Sequence, residues 1–597
     1  MLVARIPIIA VCALMILPAI TFAAIDAQKV SYLRAEVVQD VHVRADGSPS
    51  EVTVDVLIPQ EDDFQTIESQ EVSIPFTTKV DDMGNKMVSA TFDNPDNLIE
   101  FKITSIVNVK RRTSASLPQN PALLRSTDLI ESKDEKINKL AEEITAGKQI
   151  GFEQISAVAG WVNENTKYDL AYADVNLSAS QVLDLGAGVC DEFSTLELSM
   201  LRSLGYRSAY IVGYAYGRGY RQVEDFVPHG WTEVCSPDGG CTVADPTWAE
   251  VGWLDAMHIK FATLVNSGNY IEATALAKGY GSNLKVMIDG VNTTIKILQS
   301  DEEASINSES ILLDDNVWSG YAVVKTDLSA DGCLLTKVST NSCTLDGKGL
   351  LTPLQPESIV SFCDEKTIFS LFKIPDTLDQ NTRYSCSLGT GIGGNGAGSN
   401  SLALESSFDS TAPPQLSLDK TSLKPGEEFV AASSGSHIFT DFGSYGQDNL
   451  IAKAPSQNFK VYAYDNGQLT EQEVLVSEYR PLEVKIAVND TVLLGNVYSV
   501  NITVQNVEDS SRQATVIFGN RSVQSLLSAG QSKVFHFNFT AFSKDDNVVR
   551  TFVSTNGFST SVSKTVDVIK QASFGNFIAD TIQAIIDFFK RLFGGLK

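Results

Sequence analysis

Positive charge is scarce in this chain: 46 lysines and arginines face 73 aspartates and glutamates, for a net charge of −27. Phosphate binding needs a concentrated basic surface, so nucleic acid is excluded as a partner. The acidic balance suits a soluble protein in salty or exposed surroundings but assigns no partner by itself. Histidine is rarer, with five residues in 597. His42, His258, His437 and His536 stand apart without metal-ligand spacing and read as structural, so neither a metal nor another cofactor is expected. Cysteine numbers only eight. Extremes of composition are missing too: 43% hydrophobic and 20% charged residues exclude a disordered or collagen-like chain.

A long apolar run stands at the start. Ile6 to Phe22 follows Arg5 and is broken only by Pro7, Pro18 and Thr21, with small residues after it in "TFAAIDA". That is the layout of a signal peptide over 1–24, cleaved after Ala23 or Ala24; the alternative is an uncleaved anchor. Either way an exported protein is expected, at the cell surface or outside the cell. Setting Cys12 aside with the leader leaves seven cysteines, an odd number. Cys235 and Cys241 flank the turn "SPDGG", and Cys333, Cys343, Cys363 and Cys386 cluster. Six can pair, leaving Cys190 as a candidate reactive thiol; the alternative is a set of reduced, buried cysteines. Asn176, Asn292, Asn489, Asn501, Asn520 and Asn538 begin N-x-[Ser/Thr] triplets that fit an exported glycoprotein.

A length of 597 residues implies about four or five domains at roughly 100–150 residues each. Period-2 alternation marks a β-sandwich over 25–115. Helical spacing then takes over: Ile137, Leu140 and Ile144, followed by Ile155, Val158, Ala159 and Val162. A further helix is expected from Asp191 to Ser203, with Phe193, Leu196, Met200, Leu201 and Leu204 burying one side. Strands follow in "SAYIVGYAYG", "GWTEVC" and "CTVAD", giving an α+β domain over 125–300. β-pattern returns in a cysteine-containing domain over 305–407 and in two immunoglobulin-like sandwiches over 412–480 and 481–570. "GIGGNG" fits a G-x-G-x-x-G pattern, but no helix pattern follows it, so it reads as a flexible loop. An amphipathic helix is expected over 574–597. Asp580 and Asp587 argue against its spanning a bilayer, and it fits either a membrane surface or docking on protein.

The chemistry concentrates between Ala179 and Trp248. Cys190 stands where a glycine-containing turn enters a helix, a position whose dipole and free N–H groups favour thiolate and can hold an oxyanion. His229 opens "HGWTEVC" and Asp245 opens "DPTW". Two strands joined by "SPDGG" bring imidazole and carboxylate together, so His229 serves as base and Asp245 as its orienter.

"GVC", "RSLGYRSAYIVGYA", "HGWTEV" and "DPTW", in that order, resemble the motifs of the transglutaminase-like superfamily; the likeness covers roughly residues 135–260. The resemblance, and the layout of exported microbial, archaeal-type multidomain members, implies a papain-like α+β core flanked by β-sandwiches. It also implies a Cys190–His229–Asp245 catalytic set and a thioester intermediate on a protein or peptide substrate. Hydrolysis as a protease or amidase is favoured over cross-linking, and no calcium site like that of animal transglutaminases is evident. Gly230 stands where the family usually has alanine, a small-for-small exchange. No side-chain oxyanion donor matches; Trp161 reads as a core residue of its helix, and Trp231 and Trp248 as packing around the site. The competing class is a non-catalytic surface scaffold or adhesion protein. With either, the tandem β-domains are candidates for binding a cell-envelope polymer.

Overall fold

The computed structural model describes residues 26–569, except 219–223, 269–271, 280–283, 315–319, 342–343, 346–347, 350, 376–383, 393–394, 405–411, 478–479, 520, 542–547 and 557. The leader over 1–24, the helix expected over 574–597 and the side chains of Cys343 and Cys386 lie outside the described residues. Among those residues, no helix is long and apolar enough to cross a membrane.

The chain is predominantly β-sheet in several separate sheets. The first sandwich draws on two distant stretches. Val30–Asp46 pairs along its length with Lys285–Glu302, and Glu51–Leu57 pairs with Ala273–Lys278. The sequence reading draws a boundary at 300, but the segment from 273 onward supplies edge strands to a sandwich that began before the helices. The cause is side-chain alternation: Val41, Val43, Val52, Val54 and Phe101 point into one buried core that the strands after 273 close over.

Among the described residues, the unit between those stretches holds four α-helices: α1 (Glu135–Thr145), α2 (Phe152–Asn165), α3 (Ala179–Leu185) and α4 (Cys190–Ser203). Asp134 caps α1 by accepting from the Lys136 and Ile137 N–H groups. Five strands follow: β1 (Arg207–Arg218), β2 (Glu224–Cys235), β3 (Cys241–Asp245), β4 (Glu250–Val251) and β5 (His258–Leu264), in the spatial order β5-β1-β2-β3-β4. The sequence predicts that α4 buries one side. Instead every residue of it except the half-buried Asp191 is buried, polar residues included. Most of those residues find local partners: Glu197 accepts at one oxygen from Thr232 Oγ1 at 2.7 Å, its other oxygen having no partner, and Arg202 donates to the carbonyls of Arg125, Ser208 and Val265. A helix so enclosed is a rigid mount for its own first residue, Cys190.

The catalytic sheet does not stop at the unit's edge. Val251 of β4 pairs with Leu335 in a long strand, Gly320–Asn341, which pairs in turn with Glu357–Ile374 and is bridged to it by Cys333–Cys363. Of the "GIGGNG" segment, expected as a flexible loop, residues 391–392 and 395–396 belong to the paired strands Tyr384–Ile392 and Asn395–Leu404, with Ile392 opposite Asn395; residues 393–394 lie outside the described residues. Beyond it, strands from Ser417 to Val476 form a six-stranded sheet with its own core. Those from Leu482 to Ile569 enclose another core around Val500, Ile502, Val516 and Phe537.

Candidate active site

Cys190 is the first residue of α4. Val189 precedes it in extended conformation and gives its N–H to the Glu192 carboxylate at 2.9 Å. The turn needs glycine at 188, because a Cβ there would stand 2.3 Å from the Glu192 Cβ. The two disulfides among the described residues join Cys235 to Cys241 and Cys333 to Cys363, and Cys190 is a free thiol, 8% exposed. Gly230, the neighbour of His229 on β2, directs its backbone N–H at the Cys190 sulfur. Its carbonyl accepts from Ser194 Oγ of α4 at 3.3 Å. Helix and strand are therefore pinned together through both backbone groups of residue 230.

His229 and Asp245 lie on neighbouring strands. Thr232 pairs with Ala244 and Cys235 with Cys241, so the disulfide closes the same hairpin that carries both side chains. His229 Nε2 stands 2.6 Å from Asp245 Oδ2, and both residues are buried. Asp245 Oδ1 accepts the Thr247 N–H at 2.8 Å. With Nε2–H donated to the carboxylate, Nδ1 is the nitrogen left to take a proton. Trp248 stacks on the imidazole at 4.5 Å between centroids and 13° between planes, fixing the ring's tilt; Trp231 flanks it at 6.2 Å. Burial works against a charge on Asp245, but His229 and His258 outweigh it and hold the carboxyl well below its usual range.

The thiol departs from expectation. The helix terminus was expected to favour thiolate, yet burial and then the Asp191 charge push Cys190 well above the ordinary thiol value, against the pull of the Gly230 N–H. The S–H donates to Asp191 Oδ1 at 3.2 Å. A desolvated sulfur beside a carboxylate keeps its proton until a base removes it. Asp191→Asn removes the opposing charge and lowers the thiol pKa. Alkylation of Cys190 by iodoacetamide at pH 7 is therefore expected to rise by up to about tenfold, the equivalent of one pKa unit. An unchanged rate would show that Asp191 does not hold that proton.

Gly230 is not interchangeable with alanine here. A Cβ at 230 would lie 2.0 Å from Tyr210 Oη and 2.5 Å from two ring carbons, because the Tyr210 side chain on β1 fills the space. Trp161 lies apart from the triad: it is partly buried against the helical core and lines a cleft of about 620 Å³ with Phe152, Ile359 and Phe362. Sequence reasoning missed the residues behind Asp245. His258, Asp255 and Glu250 are all buried and gather against it. "DAMHIK" contains no pattern that would have marked them. His229, Asp245 and His258 form one set of closely spaced donors, and Glu250, Asp255 and His258 another. His229 is engaged with Asp245, and His258 Nδ1 with Asp255 at 3.1 Å, while His258 Nε2 and one Glu250 oxygen have no hydrogen-bond partner.

Residues 138–246 match the transglutaminase-like superfamily, so the chain carries a transglutaminase-like domain. An uncharacterized protein of Bacillus subtilis (strain 168), YebA, is 25% identical over 189 residues, 28% of this chain and 24% of that protein; the match thus spans about a quarter of the relative's length. Among solved structures, a proposed cysteine protease from Cytophaga hutchinsonii is similar at 16% identity and a TM-score of 0.34, over 45% of this chain and 92% of that one. Red sea bream transglutaminase is similar at 9% identity and a TM-score of 0.18, over 87% and 92%.

Proposed function

We propose that this protein is an exported cysteine enzyme that acts on amide or peptide bonds through a thioester, with water as the final acceptor. The observation that carries the reading is a free thiol pinned to the strand of a buried histidine whose Nε2 is 2.6 Å from a carboxylate. In the proposed reaction His229 Nδ1 takes the Cys190 proton as sulfur attacks the substrate carbonyl. The unpaired N–H groups of the first turn of α4 face the developing oxyanion. The carbon–nitrogen bond breaks as His229 returns the proton to the leaving amine. Water then gives a proton to His229, attacks the thioester carbon and releases the acid and the thiol. Two disulfides support an oxidising compartment. The resemblance to exported microbial members favours water over an amine acceptor, and the β-units beyond residue 305 are proposed to bind an envelope polymer.

One observation favours the non-catalytic scaffold: burial and Asp191 hold Cys190 as a thiol. Mass spectrometry of peptide mixtures incubated with the wild type and with Cys190→Ala separates the readings. Cleaved or deamidated peptides that vanish in the variant support hydrolysis, and cross-linked peptides would move the assignment to amine transfer. Identical mixtures from the two proteins would leave only the scaffold.

A further inference from the structure

His258 opens β5, opposite Ala215 of β1, and is completely buried. Its Nδ1 is 3.1 Å from Asp255 Oδ1, and its Nε2 is 3.6 Å from Asp245 Oδ2, the same oxygen that His229 engages. The side chains run in a row: His229, Asp245, His258, Asp255. Trp231 and Trp248 meet the His258 ring edge-on at 5.3 and 5.2 Å, so the two tryptophans that flank His229 also box in the second imidazole.

Charge balance constrains this row. Two buried carboxylates flank one imidazole. Glu250, also fully buried, joins them with one oxygen held by Gln28 Nε2 at 2.7 Å and the other without a partner. Burial and then Asp255 push the Glu250 carboxyl well up, which disfavours a charge there. Arg111, outside the row, interacts with Asp255 across a longer distance. Among the described residues, His258 is the group placed to carry a positive charge between Asp245 and Asp255. Burial opposes that charge, but Asp255 and Asp245 together overcome it and push the imidazole up to about 10. A gap of 3.6 Å to Asp245, with Nε2 lacking a hydrogen-bond partner, is too long for a hydrogen bond, so charge is the link between them.

Resting on the proposed active site, the geometry points to His258 as a positioning residue: an imidazolium gripped by Asp255, whose fixed charge keeps Asp245 ionised and turned toward His229. His258 touches neither thiol nor substrate. Without it, Asp245 keeps its His229 and Thr247 partners but loses a charge that offsets its burial, so the carboxylate supports the His229 imidazolium less and His229 is a weaker base toward Cys190.

Two measurements test this on the full chain. Ring resonances of the five histidines, with His258 identified by its loss in His258→Gln, read the charge in the wild-type fold. His258 is expected to keep imidazolium shifts from pH 6 to pH 9, and a transition to neutral below pH 7 overturns the assignment. Iodoacetamide alkylation of Cys190 against pH then compares the wild type with His258→Gln, His258→Phe and Asp255→Asn. Both His258 variants are expected to move the half-maximal pH up by about one unit, a roughly tenfold slower rate at pH 7. Glutamine should fare no better than phenylalanine, because it restores a donor and not a charge; Asp255→Asn should shift the profile in the same direction. A wild-type profile in the His258→Gln variant overturns the inference. Alkylation that ignores His229→Ala overturns the proposed enzyme, and this role with it. A thiol that depends on His229 but not on His258 overturns this role alone.

Discussion

Replacing His229 by alanine slows iodoacetamide alkylation of Cys190 at pH 7 by about 100-fold or more, the scale of a lost general base. The size of the effect follows from the resting thiol. Burial and Asp191 hold its proton, so without an acceptor almost no thiolate forms near neutrality. The variant also strips Asp245 of its 2.6 Å partner and opens a gap between Trp231 and Trp248. A second variant, His229→Gln, separates chemistry from packing: its amide offers an N–H toward Asp245 but no basic nitrogen. Both variants should lose alkylation, while calorimetry shows the glutamine protein melting closer to wild type. Fast alkylation in either one, with the fold intact, removes His229 from the mechanism.

Gly230→Ala destabilises the catalytic unit by about 3 kcal/mol, the upper end of what a forced methyl costs in a packed core. The added carbon would stand 2.0 Å from Tyr210 Oη and 2.5 Å from two ring carbons, and Tyr210 is itself buried. Relief requires moving the ring or bending β2, and bending β2 pulls the residue 230 N–H from the Cys190 sulfur. Calorimetry should therefore show the unit's transition falling, and alkylation should slow with it. Tyr210→Leu in the Gly230→Ala background is expected to recover most of the loss, giving a coupling well beyond additivity. A Gly230→Ala protein as stable as the wild type would mean that the Tyr210 ring moves freely.

The three side chains of the proposed triad were legible because each sits in a local pattern. Cys190 follows a glycine turn before a run of helix-spaced apolar residues, and His229 and Asp245 flank a hairpin marked by "SPDGG" and two cysteines. The cysteine arithmetic left Cys190 over, and it is free. The supporting partners had no such signature. Asp191 is the next residue, yet nothing in "CDEF" says that its carboxylate receives the thiol proton rather than facing solvent. His258 reads as a scattered histidine in the sequence, since its partner Asp245 lies in a different strand with two other strands between them.

What the residues alone determined is local: alternation produced strands, 3.6-residue spacing produced α1, α2 and α4, and the turn chemistry placed a thiol at a helix start. Backbone geometry and side-chain period act over a few residues and can be read there. Tertiary structure decided whatever depends on distant neighbours: the pairing of Val30–Asp46 with Lys285–Glu302, the burial of α4 on every side, the filling of the space beside Gly230 and the protonation of Cys190. Burial sets how costly a charge is, and burial belongs to the folded whole, so the same Cys-His-Asp pattern could carry a reactive thiolate or a guarded thiol until the chain around it closed.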